Sequence, residues 1–181
     1  MSVIRRNGRL RQKRFRPNFA DANHLHLAYN IRMHIPDGFI DLPTSAAFAA
    51  VAAAGVAISI RGAKSSLDEK TAPLAGLTAT FIFAVQMLNF PVAAGTSGHL
   101  LGAGLAAVLI GPYAATLAIT IVLILQALLF ADGGLSALGL SIFNMSLVAV
   151  WFGYVVFLLV KKIAPKKKIS ISIAAAIAAL L

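Results

Sequence analysis

Six apolar stretches constrain the fold of this chain more than any other feature. Spanning the hydrocarbon core of a bilayer takes about 20 apolar residues in a helix, and a helix satisfies its own backbone hydrogen bonds in lipid. The composition is 59% hydrophobic, above the range of about 45–50% that is usual for soluble domains. The sequence therefore predicts an all-α polytopic membrane protein with about six transmembrane helices, the last of them truncated. The stretches cover residues 46–60, 72–90, 92–110, 114–130, 138–160 and 169–181.

The basic residues lie in three clusters between or beside these stretches, within residues 5–32, 61–70 and 161–168. The net charge of +10 is therefore the charge of loops and not of a continuous basic surface, which argues against a nucleic-acid partner. Loops rich in Lys and Arg face the cytoplasm, and an even number of spans separates the second cluster from the third. Both are predicted to be cytoplasmic, so the loops around His34, His99 and Asp132 are predicted to face outward.

Residues 1–32 do not fit this topology, because their basic side chains would lie outside the cell. Two interpretations remain open. The stretch is a solvated basic tail, or it is absent from the mature protein because translation starts at Met33. The topology favours the second interpretation. Residues 33–181 are predicted to form the transmembrane domain, and we expect this domain to continue beyond the C-terminus of the sequence.

A polar island from Asn89 to His99 interrupts the apolar sequence. It is predicted to form a re-entrant-like loop before the third span, because irregular backbone at membrane depth must line a cavity or be buried in protein. A histidine in such a place usually faces a cavity, a partner or a ligand. His99 is therefore a candidate metal ligand, with a role in helix packing as the alternative.

Met33 and His34 can supply the rest of a metal site if Met33 is the N-terminus. The α-amine of Met33, the backbone nitrogen of His34 and Nδ1 of its imidazole close a five-membered and a six-membered chelate ring. His99 would fill the fourth position. Four nitrogens in a plane suit Ni(II) or Cu(II), and Co(II) less obviously, whereas Zn(II) prefers a tetrahedron. The residues that we expect to orient the imidazoles from an outer shell are Gln86, Asn89, Thr96 and Ser97.

Small residues recur four apart in the first span, at Ala46, Ala50 and Ala54. This spacing lets helices approach closely in lipid. The row is a candidate docking surface for a partner helix, and the alternative is that the alanines only fill the helix.

Three separated blocks resemble one known family: Met-His-Ile-Pro-Asp-Gly-Phe at 33–39, Val-Ala-Ala-Gly-Thr-Ser-Gly-His-Leu-Leu-Gly at 92–102, and Gln-Ala-Leu-Leu-Phe-Ala-Asp-Gly-Gly-Leu at 126–135. They are similar to the cobalt/nickel substrate-binding components of energy-coupling factor transporters, the CbiM/NikM family of the cobalamin-biosynthesis cobalt permease. The resemblance implies that Met33, His34 and His99 bind the transported Co(II) or Ni(II), with no prosthetic group. It also implies the prokaryotic plasma membrane as the location.

The same resemblance implies partners: a transmembrane coupling protein, two cytoplasmic ATPases and, in some systems, a small accessory membrane protein. The chain carries no G-x-x-x-x-G-K-[ST] phosphate-binding loop, so ATP hydrolysis is expected in the partners. Family members begin at the Met-His pair and continue past the end of this sequence, which places the amine ligand in question.

Three functions compete at this point. The first is the substrate-capture component of a cobalt importer, with nickel as the alternative cargo. The second, an intramembrane metalloenzyme, would need an acid or base beside the metal, and the spans contain no Asp or Glu and no H-E-x-x-H motif. The third is a membrane scaffold or regulator that binds no metal. The sequence favours the first, so the chain itself is not expected to be an enzyme.

Overall fold

A computed structural model describes residues 34–65, 67–69, 71–88, 90–91 and 97–163. All of them belong to one compact unit, Arg32–Leu181. The elements are α1 (Leu42–Ala63), α2 (Thr71–Gln86), β1 (Phe90–Pro91), β2 (Ser97–Gly98), α3 (Ala103–Ile110), α4 (Pro112–Leu129), α5 (Leu138–Ser141) and α6 (Ala149–Ile163). A π-helical segment, Ile142–Val148, joins α5 to α6 without a break. The basic stretch 1–32 and the last apolar stretch, 169–181, lie outside the described residues.

Among the described residues, three helices are long and apolar enough to span a bilayer: α1, α4 and the continuous helix Leu138–Ile163. The α2 helix is apolar but has only 16 residues. The described residues therefore confirm an all-α polytopic membrane protein, but with fewer full-length spans than the six predicted.

The third predicted span begins slightly later than the sequence suggested. The polar island up to His99 was expected to be irregular and Leu100 to Ile110 to be helical, and among the described residues the helix covers the eight residues of α3. Gly102 precedes α3 in the left-handed conformation (φ +70°), which ends any continuous helix that would enter from the N-terminal side. Before it, Phe90 pairs with Gly98 and Pro91 with Ser97 in a two-stranded antiparallel ladder. This irregular backbone is where the sequence predicted a re-entrant-like loop.

The first helix begins earlier than the sequence suggested. Asp41 is its N-cap, and the Asp41 carboxylate accepts a hydrogen bond from the backbone N–H of Thr44 at 3.2 Å. Hydrogen bonds from Thr44 hold the pKa of this exposed carboxyl below its ordinary value. Pro43 lies in the first turn of α1, where its missing N–H leaves no intrahelical bond unmade.

The core is centred on α4, which packs against α1, α2, α3, the π-helical segment and α6. Its buried apolar residues include Ala115 and Ile119, both fully inaccessible. Buried hydroxyls fasten α4 to the π-helical segment. The carbonyl of Thr116 is 2.7 Å from the hydroxyls of both Thr120 and Ser146, and these hydroxyls are 2.6 Å apart.

Close helix packing depends on small residues where backbones meet. A Cβ on Gly139 of α5 would lie 2.6 Å from the Cα of Ala49 in α1, so only glycine permits this approach. The row of Ala46, Ala50 and Ala54 is exposed on α1. Its role as a docking surface stays a prediction.

Candidate metal site

The two histidines singled out in the sequence come together at one end of the helices. His34 precedes α1 and is 7% exposed, and His99 follows β2 and is half-buried. Their ring centroids are 5.7 Å apart with an interplanar angle of 48°. From the sequence, only counts of spans and charges placed the two histidines on the same side of the membrane. In the structure their side chains are neighbours, although they are 65 residues apart in the chain.

One metal ion can reach both rings. A metal–nitrogen distance of about 2.0 Å plus a ring radius of about 1.2 Å puts each centroid about 3.2 Å from a bound ion. Two imidazoles on one ion therefore have centroids at most about 6.4 Å apart. The observed 5.7 Å lies within that limit, so the separation of the two rings is compatible with one shared ion.

Side chains alone do not complete a site among the described residues. No group of three or more His, Asp or Glu there is placed to hold a metal ion, so further donors would have to be other groups, such as a backbone nitrogen or an amine. Met33, whose amine was the predicted donor, lies outside the described residues, as do Asn89 and Thr96. Ser97 is described only as backbone in β2.

Asp132 is a neighbour of His34 that the sequence did not single out as a site residue. Its Oδ2 lies 3.3 Å from Nδ1 of His34, and the two side chains are 11% and 3% exposed. Nε2 of His34 is buried and has no hydrogen-bond partner within the described part of the chain. The signal available in the sequence was topological, because Asp132 is one of only six acidic residues and its turn was predicted to face outward with His34.

The segment that carries His34 is fastened to the turn that carries Asp132. The N–H of Gly134 donates to the carbonyl of Ile35 at 2.8 Å. Asp37 Oδ1 accepts from the backbone N–H of Ser136 at 2.8 Å and from its hydroxyl at 2.6 Å. The hydroxyl of Ser45 in α1 donates to the carbonyl of Ser136. These bonds hold the Pro36-Asp37-Gly38 and Asp132-Gly133-Gly134 segments next to each other, although they are distant in the sequence.

Two glycines make this approach possible. Gly133 has φ +99°, and a Cβ there would lie 2.7 Å from the Cβ of His34. A Cβ on Gly134 would lie 2.7 Å from the carbonyl carbon of Pro36. A small cavity remains beside them, lined in part by His34, Asp132 and Ser141.

A second polar contact chain lies under the His99 loop. Gln86, the last residue of α2, donates through Nε2 to the carbonyl of Leu101 at 2.7 Å. Its Oε1 accepts from Nε2 of Gln126, in α4, at 3.1 Å. Both glutamines are fully buried. The hydrogen bonds of Gln86 thus go to the loop backbone and to Gln126, and its predicted role in orienting an imidazole remains a prediction.

Comparison with known proteins gives the family. Residues 34–181 match the family model CbiM, the cobalt uptake substrate-specific transmembrane region. A chain of Archaeoglobus fulgidus that is provisionally named a fused nickel transport protein is 46% identical over 69% of this chain and 41% of its own length. The cobalt transport protein CbiM of Geobacter sulfurreducens is 39% identical over 69% of this chain and 37% of its own. The chain thus spans well under half the length of these two curated relatives.

Solved structures agree with the sequence relatives. A crystal structure of a truncated transition metal transporter superposes with a TM-score of 0.71 at 35% identity, over 81% of this chain and 68% of the other. A second transition metal transporter gives a TM-score of 0.69 at 36% identity over the same shares. These relatives are transport proteins and not enzymes. The chain belongs to the CbiM family of cobalt uptake substrate-specific transmembrane regions.

Proposed function

We propose that this chain is the substrate-capture membrane component of an energy-coupling factor importer for divalent cobalt or nickel. The observation that carries the proposal is the 5.7 Å separation of the His34 and His99 rings. The 7% exposure of His34 supports it too, because Nε2 of this buried imidazole has no hydrogen-bond partner among the described residues. The cargo ion is a substrate, and no resident metal is part of the proposal.

The proposed donors are the imidazole of His99 and three nitrogens from the Met33-His34 pair. The α-amine of Met33 can bind only if Met33 is the first residue of the mature protein. The backbone nitrogen and Nδ1 of His34 would complete a planar set that suits Ni(II) and Cu(II) best. Each donor must lose a proton or be neutral to bind, so affinity is expected to fall as the pH is lowered.

Binding through Nδ1 requires a half-turn of the His34 ring. Nδ1 lies 3.3 Å from Asp132, and a half-turn about Cβ–Cγ exchanges Nδ1 with Cδ2 and Nε2 with Cε1. The ring then offers Nδ1 to the ion and turns Nε2 toward the side of Asp132. A carboxylate that receives the second N–H of a metal-bound imidazole fixes the tautomer and raises the basicity of the ligand nitrogen. Asp132 is proposed to have that role.

Transport needs partners in this proposal. A transmembrane coupling protein, two cytoplasmic ATPases and a small accessory membrane protein would supply the energy and the movement. The capture loops would face outward in the prokaryotic plasma membrane, and the cargo would support cobalamin biosynthesis if it is cobalt. The exposed row of Ala46, Ala50 and Ala54 on α1 is the proposed contact with the coupling protein.

The direct test is metal titration of the purified chain in nanodiscs. Ni(II), Co(II), Cu(II) and Zn(II) are titrated into the wild type, His34→Ala and His99→Ala, with Thr120→Val as a control that loses a buried hydroxyl far from the histidines in sequence. We expect both histidine variants to lose binding while the control keeps it. Competition between Ni(II) and Co(II) measures which of the two ions the site prefers, and relatives are named for both metals. Equal binding by all four proteins contradicts the proposed site, and no binding by the wild type contradicts the proposal and favours a scaffold or regulator.

Intact mass measured on protein expressed from its native gene context tests the amine donor. A mass that begins at Met33 supports the three-nitrogen chelate. A mass that includes Met1 removes the amine as a donor.

A further inference from the structure

The hydrogen bonds among Leu101, Gln86 and Gln126 have one direction only. A backbone carbonyl can only accept, so Gln86 must present its NH₂ group to Leu101 at 2.7 Å. Oε1 of Gln86 then faces Gln126, and Gln126 must in turn present its NH₂ group at 3.1 Å. Flipping either amide would set two acceptors against each other. The orientation of both side chains is therefore fixed by chemistry and not by a choice of amide assignment.

This directed pair connects α4 to the loop that carries His99. Leu101 is two residues from His99, and no regular element holds residues 99–102. The hydrogen bond to the carbonyl of Leu101 therefore attaches that loop to the helical core. Its donor, the amide of Gln86, is buried at 0% exposure, so water does not compete for the bond, and losing the bond is costly.

Gln126 also serves the other half of the site through its backbone. Its carbonyl accepts from the N–H of Phe130 at 3.2 Å and from the N–H of Asp132 at 3.1 Å. The second bond fixes the turn from which Asp132 reaches His34. One residue of α4 thus contacts both structures that bring the two histidines together.

We propose that Gln126 is a positioning residue, which holds Gln86 in the orientation that fixes the His99 loop and thereby sets the distance between the two imidazoles. The inference deepens the proposed function and rests on it where metal affinity is concerned. Its structural half, the hold on Leu101, does not depend on metal. Changes to outer-shell partners typically cost about 10–100-fold in metal affinity, and that is the loss expected for Ni(II).

The test compares Gln126→Met, Gln86→Met and the double Met variant. Methionine matches the length of glutamine, and replacing both partners of a buried hydrogen bond by apolar groups of the same shape can leave stability nearly unchanged. The double variant is therefore expected to fold. Thr120→Val is the matched control, because it removes a buried hydroxyl from the same helix.

A metal-free readout comes from the sequence itself. Leu–Gly occurs only twice in the chain, at 101–102 and 138–139. Leucine labelled with ¹³C at the carbonyl and glycine labelled with ¹⁵N therefore give two resolved carbonyl resonances. We expect the Leu101 resonance to move in all three Met variants and the Leu138 resonance to stay. Ni(II) titration of the same samples is expected to show the affinity loss, while the control keeps the wild-type value.

The outcomes separate the two proposals. If Gln126→Met leaves both the Leu101 resonance and the Ni(II) affinity unchanged, the positioning role is wrong. If the affinity falls without movement of Leu101, the role is also wrong, because the effect does not pass through the loop. If the wild type does not bind Ni(II) but Leu101 moves, the structural hold stands and the proposed function fails.

Discussion

Replacing Gly133 by alanine should weaken metal binding through a displacement of His34. Gly133 has φ +99°, and the added Cβ would lie 2.7 Å from the Cβ of His34, whereas ordinary van der Waals contacts begin at 3.4 Å. His34 must therefore move away by roughly half an ångström or more. A displacement of about 0.5 Å is already the limit within which the side chains of a binding site have to be held. The bond between Gly134 and Ile35 leaves the segment little room to relax.

The magnitude separates into two parts. An L-residue forced into left-handed backbone costs about 1–2 kcal/mol of unfolding free energy, and in a chain of 181 residues this lowers Tm by about 2–8 °C. Gly111→Ala is a matched control, because Gly111 has φ +79° and a Cβ there meets nothing within 4 Å. Both variants place an L-residue at a positive φ, but only Gly133→Ala sets a Cβ against His34. We expect a loss of about 10–100-fold in Ni(II) affinity for that variant alone.

The assay is Ni(II) titration together with thermal unfolding of both variants in the same nanodiscs. Equal Ni(II) affinities for Gly133→Ala and Gly111→Ala, at comparable Tm, would refute the reasoning. That result would mean that His34 binds no metal or that the loop absorbs the added methyl group elsewhere.

Three further predictions follow from other parts of the structure. His99→Gln should lose Ni(II) binding with a Tm near that of the wild type, because His99 is only half-buried; retained binding in a titration contradicts the ligand role. Ser146→Ala and Thr120→Val each break the buried hydroxyl cluster, at a cost of about 0.6 kcal/mol for a typical bond between membrane helices. Because the two hydroxyls share contacts, the loss of unfolding free energy in the double variant should be smaller than the sum of the losses in the two single variants. Ala50→Leu combined with Ala54→Leu should abolish co-purification with the coupling protein but leave metal titration unchanged, and intact assembly would overturn the docking proposal.

The long helices could be predicted because composition and hydropathy report directly on them. The span expected over residues 114–130 is α4, Pro112–Leu129, and the span over 138–160 is the continuous helix Leu138–Ile163. In each case Gly, Pro or a basic cluster marks the ends. The side of the membrane shared by His34 and His99 was also accessible, because charge and span counts fix it without any tertiary detail.

The contacts between the residues of the site could not be predicted from the sequence in the same way. Hydropathy does not distinguish a helical residue from an extended one within an apolar run, so residues 100–102 were assigned to a span that starts only at Ala103. Asp132 and Gln126 were visible as polar residues, but their partners lie on other segments. Pairing of that kind depends on how helices pack, and one sequence alone does not report it.

The π-helical segment Ile142–Val148 has a consequence for insertions and deletions. In an α-helix, four residues turn about 400°, so positions four apart drift steadily around the axis. Ile142, Ser146 and Val150 are four apart and all buried, and the wider π turn takes up the drift between them. The segment therefore keeps the buried residues on one face of the continuous helix. Its own residues pack against α1 and α4, and α6, which follows it, packs against α3. Removing a single residue here would restore a regular α-helix, and seven residues at about 100° each turn about 700°. That is close to the two full turns that separate Ile142 from Val150, so we expect α6 to keep its inner face toward the core after such a deletion, whereas a deletion within α6 would rotate everything after it by about 100°.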